Sequence, residues 1–435
     1  KPFPCLGGAA RAYTLMEAGY GGQYGGPKSA DPTMVRPAAE QTTTARPELP
    51  DNYVIKQYVG GGAYGKVYLA EDTSKLDAKG TPMLVAVKWI RDWARDPLCG
   101  KRALREIKLL SKLRHENIMK LHDLVPVPGL EFEDIYLVMP YMQMDLQKVI
   151  YSSMRLSKNH VQAFVCQICR GLKYLHSAGV WHRDLKPGNI LANKDCTVMI
   201  ADFGLARGHS TDTEAMSEYV VTRWYRAPEI FLVVNYNQAV DLWSVGCICS
   251  ELLLRKPLFP GKDIIDMLKR IVSALGFSME SEMDWLSADG SSTQSREVQL
   301  LLAIKPDQIK GPSLEDIIKA KAPDTTEICF DFLRHLLVFN PNGRMSAMDA
   351  LDHEYLRHLH DPEGEKVAPK QFPWEFDNFE PSKRKLQDRV YAECARLHPE
   401  IVQRDQEQLK LRGLLDSGQE ADSHGTGQPV GSQSR

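Results

Sequence analysis

Apolar residues recur along this chain with two periods, and the change from one to the other divides it. Tyr53-Val54-Ile55-Lys56-Gln57-Tyr58-Val59, Val67-Tyr68-Leu69-Ala70 and Met83-Leu84-Val85-Ala86-Val87-Lys88-Trp89-Ile90 are short β-type runs and predict strands. From Arg102 to Leu113 the apolar positions are 103, 104, 107, 109, 110 and 113, the spacing of one helix face. Ile135-Tyr136-Leu137-Val138-Met139 reads as a further strand, and the long periodic segments beyond it, 157–177, 239–254, 262–275 and 326–338, are helical. The pattern predicts an α+β chain with a small β-rich lobe followed by a larger helical one. Both ends lack a period. Residues 1–50 hold seven Gly and seven Pro, too little apolar surface to order themselves, and from about Ala421 the tail is Gly, Ser and Gln. The folded part is expected over about 51–400, with 401–435 mostly a flexible tail.

Composition narrows the class. The chain has 435 residues, 43% hydrophobic and 25% charged, an ordinary globular balance. A net charge of −2 gives no electrostatic case for nucleic acid or an anionic membrane. No apolar stretch approaches the roughly 20 residues that span a bilayer, and no basic-then-apolar leader opens the sequence. The expectation is a soluble protein of the cytoplasm or nucleus. Nine scattered cysteines do not suggest a disulfide framework. Cys166 and Cys169 stand on a helical repeat with no second pair to complete a metal site, and are read as buried thiols.

Candidate chemistry comes from an ordered set of residues. Gly60-x-Gly62-x-x-Gly65-x-Val67 alone admits a dinucleotide site, but that site needs a helix to start at the loop. Here Lys66-Val67-Tyr68-Leu69-Ala70 follows, a β-type run, which favours a hairpin whose backbone lies over phosphates. Lys88 ends an apolar strand, where an ammonium needs a negative partner, and Glu106 on the next helix supplies one. Further on stand His182-Arg183-Asp184-Leu185-Lys186-Pro187-Gly188-Asn189, Asp202-Phe203-Gly204 and Ala227-Pro228-Glu229. Asp184 can take the proton of a hydroxyl, Asn189 and Asp202 can hold Mg²⁺ through oxygen, and Lys186 can neutralise a transferring phosphate. A loose phosphoryl transition state needs positioning and charge neutralisation more than covalent help.

On these motifs, residues 53–356 resemble a eukaryotic protein kinase domain, of the Ser/Thr type because Lys186 follows Asp184 by two. The resemblance implies a bilobal fold, with 51–142 the N-lobe and hinge and 143–356 the C-lobe. The segment Ser217-Glu218-Tyr219 through Glu229 is similar to the activation segment of mitogen-activated protein kinases, nearest the extracellular-signal-regulated branch, with Ser217 where Thr is usual. An insert near 277–315 and an extension over 357–400 that packs back on the lobes agree with that family. The family implies ATP and Mg²⁺ as cofactors and a monomer. It also implies Ser/Thr-Pro substrates and activation at Ser217 and Tyr219 by a dual-specificity MAP kinase kinase.

By alignment with the family, Met139 is the gatekeeper, Pro140 and Met142 meet the adenine edge, and Asp145 joins the ATP site. Proline lacks only a donor, and at position 140 an acceptor suffices. Arg105, Arg183 and Arg207 are implied as ligands of phosphoserine, and Arg223 and Arg226 of phosphotyrosine. Asp361 and Glu365 are implied as an acidic surface for substrates and phosphatases that carry basic docking motifs, with Gly364 replacing a usual acid. A cyclin-dependent-like kinase and a pseudokinase scaffold are the alternatives. The first lacks a cyclin-binding helix sequence before Glu106, and the second is opposed by the intact Lys88, Glu106, Asp184, Asn189 and Asp202.

Overall fold

The computed structural model describes residues 47–62, 65–208, 223–232, 236–278 and 296–414, with positions 280, 282 and 285 between the last two. Strands β1 (Tyr53–Gly62), β2 (Gly65–Leu76), β3 (Pro82–Ile90), β4 (Asp123–Leu124) and β5 (Ile135–Pro140) form an antiparallel sheet in the order β1-β2-β3-β5-β4. Side chains alternate across a strand, so the pairing register decides which face each residue serves. Gly60, Val67, Lys88 and Leu137 lie in one row and Leu69, Ala86 and Met139 in the next row of the same face. The opposite face supplies Tyr53, Ala70, Val85, Val87 and Val138 to a small core of its own. That core also takes in Leu49, and Pro47 is buried, so 47–50 already belong to the fold and the expected boundary at residue 50 is too late.

Helix α1 (Pro97–Lys112) begins where Pro97 fixes φ and Asp96 accepts the Leu98 N–H at 3.2 Å. The C-lobe starts with β6 (Met144–Asp145), α2 (Leu146–Tyr151) and α3 (Lys158–Ser177), and β7 (Ile190–Ala192) and β8 (Val198–Ile200) pair with β6 in a second sheet. Then come α4 (Pro228–Phe231), α5 (Ala239–Leu254), α6 (Ile264–Leu275), α7 (Arg296–Ala303), α8 (Leu314–Lys319), α9 (Glu327–Leu336) and α10 (Ala347–Asp352). Helix α5 is buried nearly all round, as a helix without a polar face must be. Cys166 and Cys169 are buried on α3, and burial pushes the Cys166 thiol up to about 11, in accord with their reading as core thiols. Among the described residues no helix is long and apolar enough to cross a membrane.

The chain then returns to the N-lobe. Helix α11 (Lys383–Leu397) packs on α1 so closely that a Cβ on Gly100 would stand 2.6 Å from Leu386 Cδ1. Two short helices follow, α12 (Glu400–Arg404) and α13 (Gln406–Leu411), with Ile401 and Leu409 buried. Arg404 Nη2 donates to Val127 O at 2.7 Å and Arg412 Nη1 to Asp388 at 2.8 Å. The fold therefore runs through residue 413, a correction to the flexible tail expected from 401. The reading failed because the six-residue α13 is too short for its period to show and because one buried leucine anchors it.

If 401–413 is structural, Leu409→Ala leaves a cavity and lowers stability by about 2–5 kcal/mol. Urea unfolding followed by circular dichroism measures this, and an unchanged midpoint contradicts it.

Candidate active site

The sheet face that carries Val67, Ala86, Lys88 and Met139 forms the roof of the site. Gly65 sits at φ 136°, and a Cβ there would stand 2.5 Å from Trp89 O, so this turn tolerates glycine and no larger residue. Lys88 Nζ donates to both Glu106 carboxylate oxygens, at 2.6 and 2.8 Å, and ties β3 to α1. Burial pushes the Glu106 carboxyl up, against the pull of Lys88. At the hinge Pro140 faces Val85 across the ladder and Met142 is buried. Asp145 caps α2 by accepting the Lys148 N–H at 2.8 Å.

The floor is built from the loop after α3. Asp184 accepts from Lys186 Nζ at 2.8 Å and from Asn189 Nδ2 at 3.0 Å, and the same Nδ2 donates to the Asp184 backbone oxygen at 2.8 Å. Both bonds use the Asn189 amide nitrogen, which turns its Oδ1 away from Asp184 as a neutral oxygen donor. Asp202 adds a carboxylate. Burial alone would raise its pKa, but Lys88 and Lys186 more than offset this and hold it below its ordinary value. Two hard oxygen donors of this kind suit a divalent cation such as Mg²⁺.

Backbone strain is concentrated here. Arg183 at φ 68° and Asp202 at φ 66° occupy the left-handed region, costing of order 1–3 kcal/mol each. Asp241 on α5 is the restraint. It is fully buried and accepts His182 N–H at 2.9 Å and Arg183 N–H at 2.8 Å, with His176 Nε2 at 3.0 Å. Burial works to raise its pKa, yet the hydrogen bond and charge of His176 leave it below the ordinary value. His182 Nδ1 in turn accepts the Asp184 N–H at 3.3 Å while Nε2 donates to Ala201 O at 3.0 Å, which links the two catalytic loops. Sequence reasoning missed Asp241. Its signal was an ionised residue inside the apolar run Ala239-Val240-Asp241-Leu242-Trp243.

Glu229 meets Arg344 in a fully buried pair, Nη1 to Oε1 at 2.5 Å and Nη2 to Oε2 at 2.7 Å, and Arg344 stacks over Trp243. This anchors the Ala227-Pro228-Glu229 corner. Of the implied phosphate ligands, Arg183, Arg207 and Arg226 are buried and Arg223 is half-buried. Arg183 stacks on Tyr236 and Arg207 pairs by its backbone with Trp181. Arg105 faces the C-terminal extension, its Nε donating to both oxygens of Asp377 at 2.8 Å. Ser217 and Tyr219 lie outside the described residues.

The acidic docking pair is only half on the surface. Asp361 is exposed and accepts the Gly364 N–H at 3.2 Å. Glu365 is internal, a correction to its reading as a docking residue. Its side chain is 2% exposed and accepts from Arg170 at 3.2 Å, Lys173 at 3.0 Å and the Asp361 N–H at 3.2 Å, with His360 Nδ1 at 2.8 Å. Four neighbours already satisfy this carboxylate, so nothing remains to offer a partner.

A lysine–glutamate pair under a glycine hairpin, facing Asp184, Asn189 and Asp202 from a second lobe, is the constellation of a protein kinase. The family model "Protein kinase domain" matches residues 53–356, and the chain belongs to that family. Within it the chain is a serine/threonine kinase of the mitogen-activated type, and as a kinase it uses ATP. It is 41% identical to Mitogen-activated protein kinase 4 of Oryza sativa subsp. japonica over 357 residues, 82% of this chain and 92% of that protein. It is 40% identical to Mitogen-activated protein kinase 3 of Arabidopsis thaliana over 343 residues, 78% of this chain and 88% of that protein.

Asp241→Asn keeps one acceptor oxygen where the loop needs two. The expected outcome is a fall in kcat of about 10²-fold from misplacement of Asp184, with cooperative unfolding retained. Steady-state kinetics and a thermal melt check both, and an unchanged kcat refutes the positioning role.

Proposed function

We propose that this kinase transfers the ATP γ-phosphate to Ser or Thr followed by Pro in protein substrates, after activation by phosphorylation of Ser217 and Tyr219. The observation that carries the reading is the convergence of the Lys88–Glu106 pair on Asp184, Asn189 and Asp202 in a chain with relatives named as mitogen-activated protein kinases.

In this reading Asp184 orients the acceptor hydroxyl and takes its proton, and Lys186, 2.8 Å from it, lies beside the transferring phosphate. Asn189 Oδ1 and the Asp202 carboxylate would hold Mg²⁺, which when bound neutralises charge on the phosphate oxygens. Lys88, oriented by Glu106, holds the nucleotide phosphates, and the hairpin around Gly60, Gly62 and Gly65 covers them. Pro140 and Met142 receive the adenine and Met139 limits the space behind it. The Ser-Glu-Tyr motif assigns the chain to the extracellular-signal-regulated branch and makes a dual-specificity MAP kinase kinase its activator. Basic docking motifs meet Asp361 and Glu363, the two exposed acids of the 361–365 turn.

Asp202→Asn is expected to lower turnover at least 10³-fold while the melting temperature stays within a few degrees, since an amide cannot balance the metal's charge. Residual activity near wild type overturns the metal assignment. A peptide array profiles the substrate: a tenfold or greater preference for Pro after the acceptor is expected, and a flat profile at that position removes the Ser/Thr-Pro assignment. Full activity of an unphosphorylated Ser217→Ala, Tyr219→Phe double variant removes the activation switch.

A further inference from the structure

Helices α9 and α10 carry none of the residues of the catalytic site, yet they bring three metal-ligating side chains together on the C-lobe. Asp331 and His335 stand four apart on α9 and so share one face of it, and His353 follows the last residue of α10. A donor atom of each lies within 4.8 Å of the other two. No other three His, Cys, Asp or Glu side chains among the described residues converge in this way. Two imidazoles and a carboxylate are a set that Zn²⁺ accepts, with a fourth position left for water.

His353 Nε2 stands 3.1 Å from Asp331 Oδ2. Ligand atoms on a tetrahedral Zn²⁺ with bonds of about 2.0–2.1 Å lie about 3.3 Å apart, so this pair needs almost no movement to share an ion. Phe332 meets the His353 ring edge-on at 5.2 Å and holds it in place. His353 Nδ1 accepts the Tyr355 N–H at 3.1 Å, so the ring proton sits on Nε2, between it and Asp331. An ion at Nε2 sends that proton to Nδ1 and costs the Tyr355 bond, which makes the site exchangeable rather than structural. His335 is the exposed member, and its Nδ1–H donates to the Asp331 backbone oxygen at 2.8 Å, leaving the lone pair on Nε2. Exposed rotamers turn within nanoseconds, so His335 completes the site by rotation of its side chain. Arg334 stands 3.9 Å from Asp331 Oδ1, but its guanidinium is bound by Glu315 and Glu327, and Asp331 remains open to solvent.

We propose that Asp331, His335 and His353 bind one divalent transition-metal ion, Zn²⁺ in preference to Mg²⁺ or Ca²⁺, and that the ion clamps the end of α10 to α9. The preference follows from the two nitrogen donors, which suit Zn²⁺, whereas Mg²⁺ and Ca²⁺ take oxygen. The site is separate from the catalytic aspartates and does not depend on the proposed substrate or activation.

The test uses the full chain, dialysed against a chelator and free of nucleotide, with ZnCl₂ as the probe in calorimetric titration and thermal melts. CoCl₂ serves as a spectroscopic substitute. One equivalent of Zn²⁺ is expected to bind, and at a hundredfold excess over Kd to raise the melting temperature by about 4 °C. Bound Co²⁺ should show the visible d–d bands of a four-coordinate ion without a thiolate charge-transfer band. Loss of an outer partner of a metal ligand already costs about 10–100-fold in affinity, so His335→Gln and Asp331→Asn, each of which removes a ligand, should each lower it at least about tenfold. His335 is exposed, so His335→Gln should melt at the temperature of the metal-free wild type and lose only the zinc-dependent rise. Absence of both binding heat and melting shift overturns the site. Binding that both variants retain, or a thiolate band with Co²⁺, places the ion elsewhere and overturns it equally. Displacement of Zn²⁺ by Mg²⁺ or Ca²⁺ at equal concentration refutes the nitrogen-ligand assignment.

Discussion

One buried carboxylate fixes the catalytic geometry. Asp241 lies inside a helix that is apolar on nearly every side, where an ionised group is tolerated only if it is fully hydrogen-bonded. His182 and Arg183 supply backbone N–H groups and His176 an imidazole, and satisfying Asp241 forces Arg183 into the left-handed region. The strain and the buried charge are two sides of one arrangement. Each would be costly alone. Together they leave Asp184 one allowed position, with His182 carrying the restraint across to Ala201 beside Asp202.

The upper half of the site depends on a different partner, the chain's own C-terminal extension. Glu106 can meet Lys88 only if α1 is held against the sheet. Its outer face is clamped by Asp377 on Arg105, Glu393 on Lys108, and the rings of Phe376 and Phe379 under Lys108 and Lys101. The extension turns an element at the lobe boundary into one whose polar face is largely satisfied within the chain. Residue 105 thus has a carboxylate partner before any phosphate is considered, so a phosphoserine would share Arg105 with Asp377.

Much of this was legible in the sequence because period and motif are local properties. Strands β1 to β3 and β5, helices α1, α3, α5, α6 and α9, and the order of Lys88, Glu106, Asp184, Asn189 and Asp202 all follow from residues close in sequence. What stayed hidden is long-range. Asp241 meets a loop 58 residues earlier and Asp377 meets Arg105 across 272. Strands of two residues, β4 and β6, are too short to show alternation. Glu365 was misjudged because an acidic turn such as Asp361-Pro362-Glu363-Gly364-Glu365 looks solvated in sequence. Arg170 and Lys173, which draw Glu365 inward, stand on α3 nearly 200 residues away.

The arginines around Asp184 explain why a kinase with its catalytic groups assembled would still need the proposed switch. Arg226 is buried, and its Nε and Nη2 find no hydrogen-bond partner among the described residues. Burial lowers its pKa, Asp184 opposes that, and Arg223 and Arg183 lower it further. Cations crowded in this way repel one another, and Arg226 shares the field of the carboxylate that must orient the acceptor. A phosphate carries about −1.5 to −2 charges and three strong acceptor oxygens, the complement of such a cluster. Moving a 1:99 population of active conformer to 99:1 takes about 5.5 kcal/mol. A hydrogen bond to a charged group gives about 1.5–3 kcal/mol, so a single contact is too weak to set the switch. In the proposed switch two phosphates, each meeting two or more arginines, would supply enough, and with Asp377 already on Arg105 the second would be needed rather than redundant.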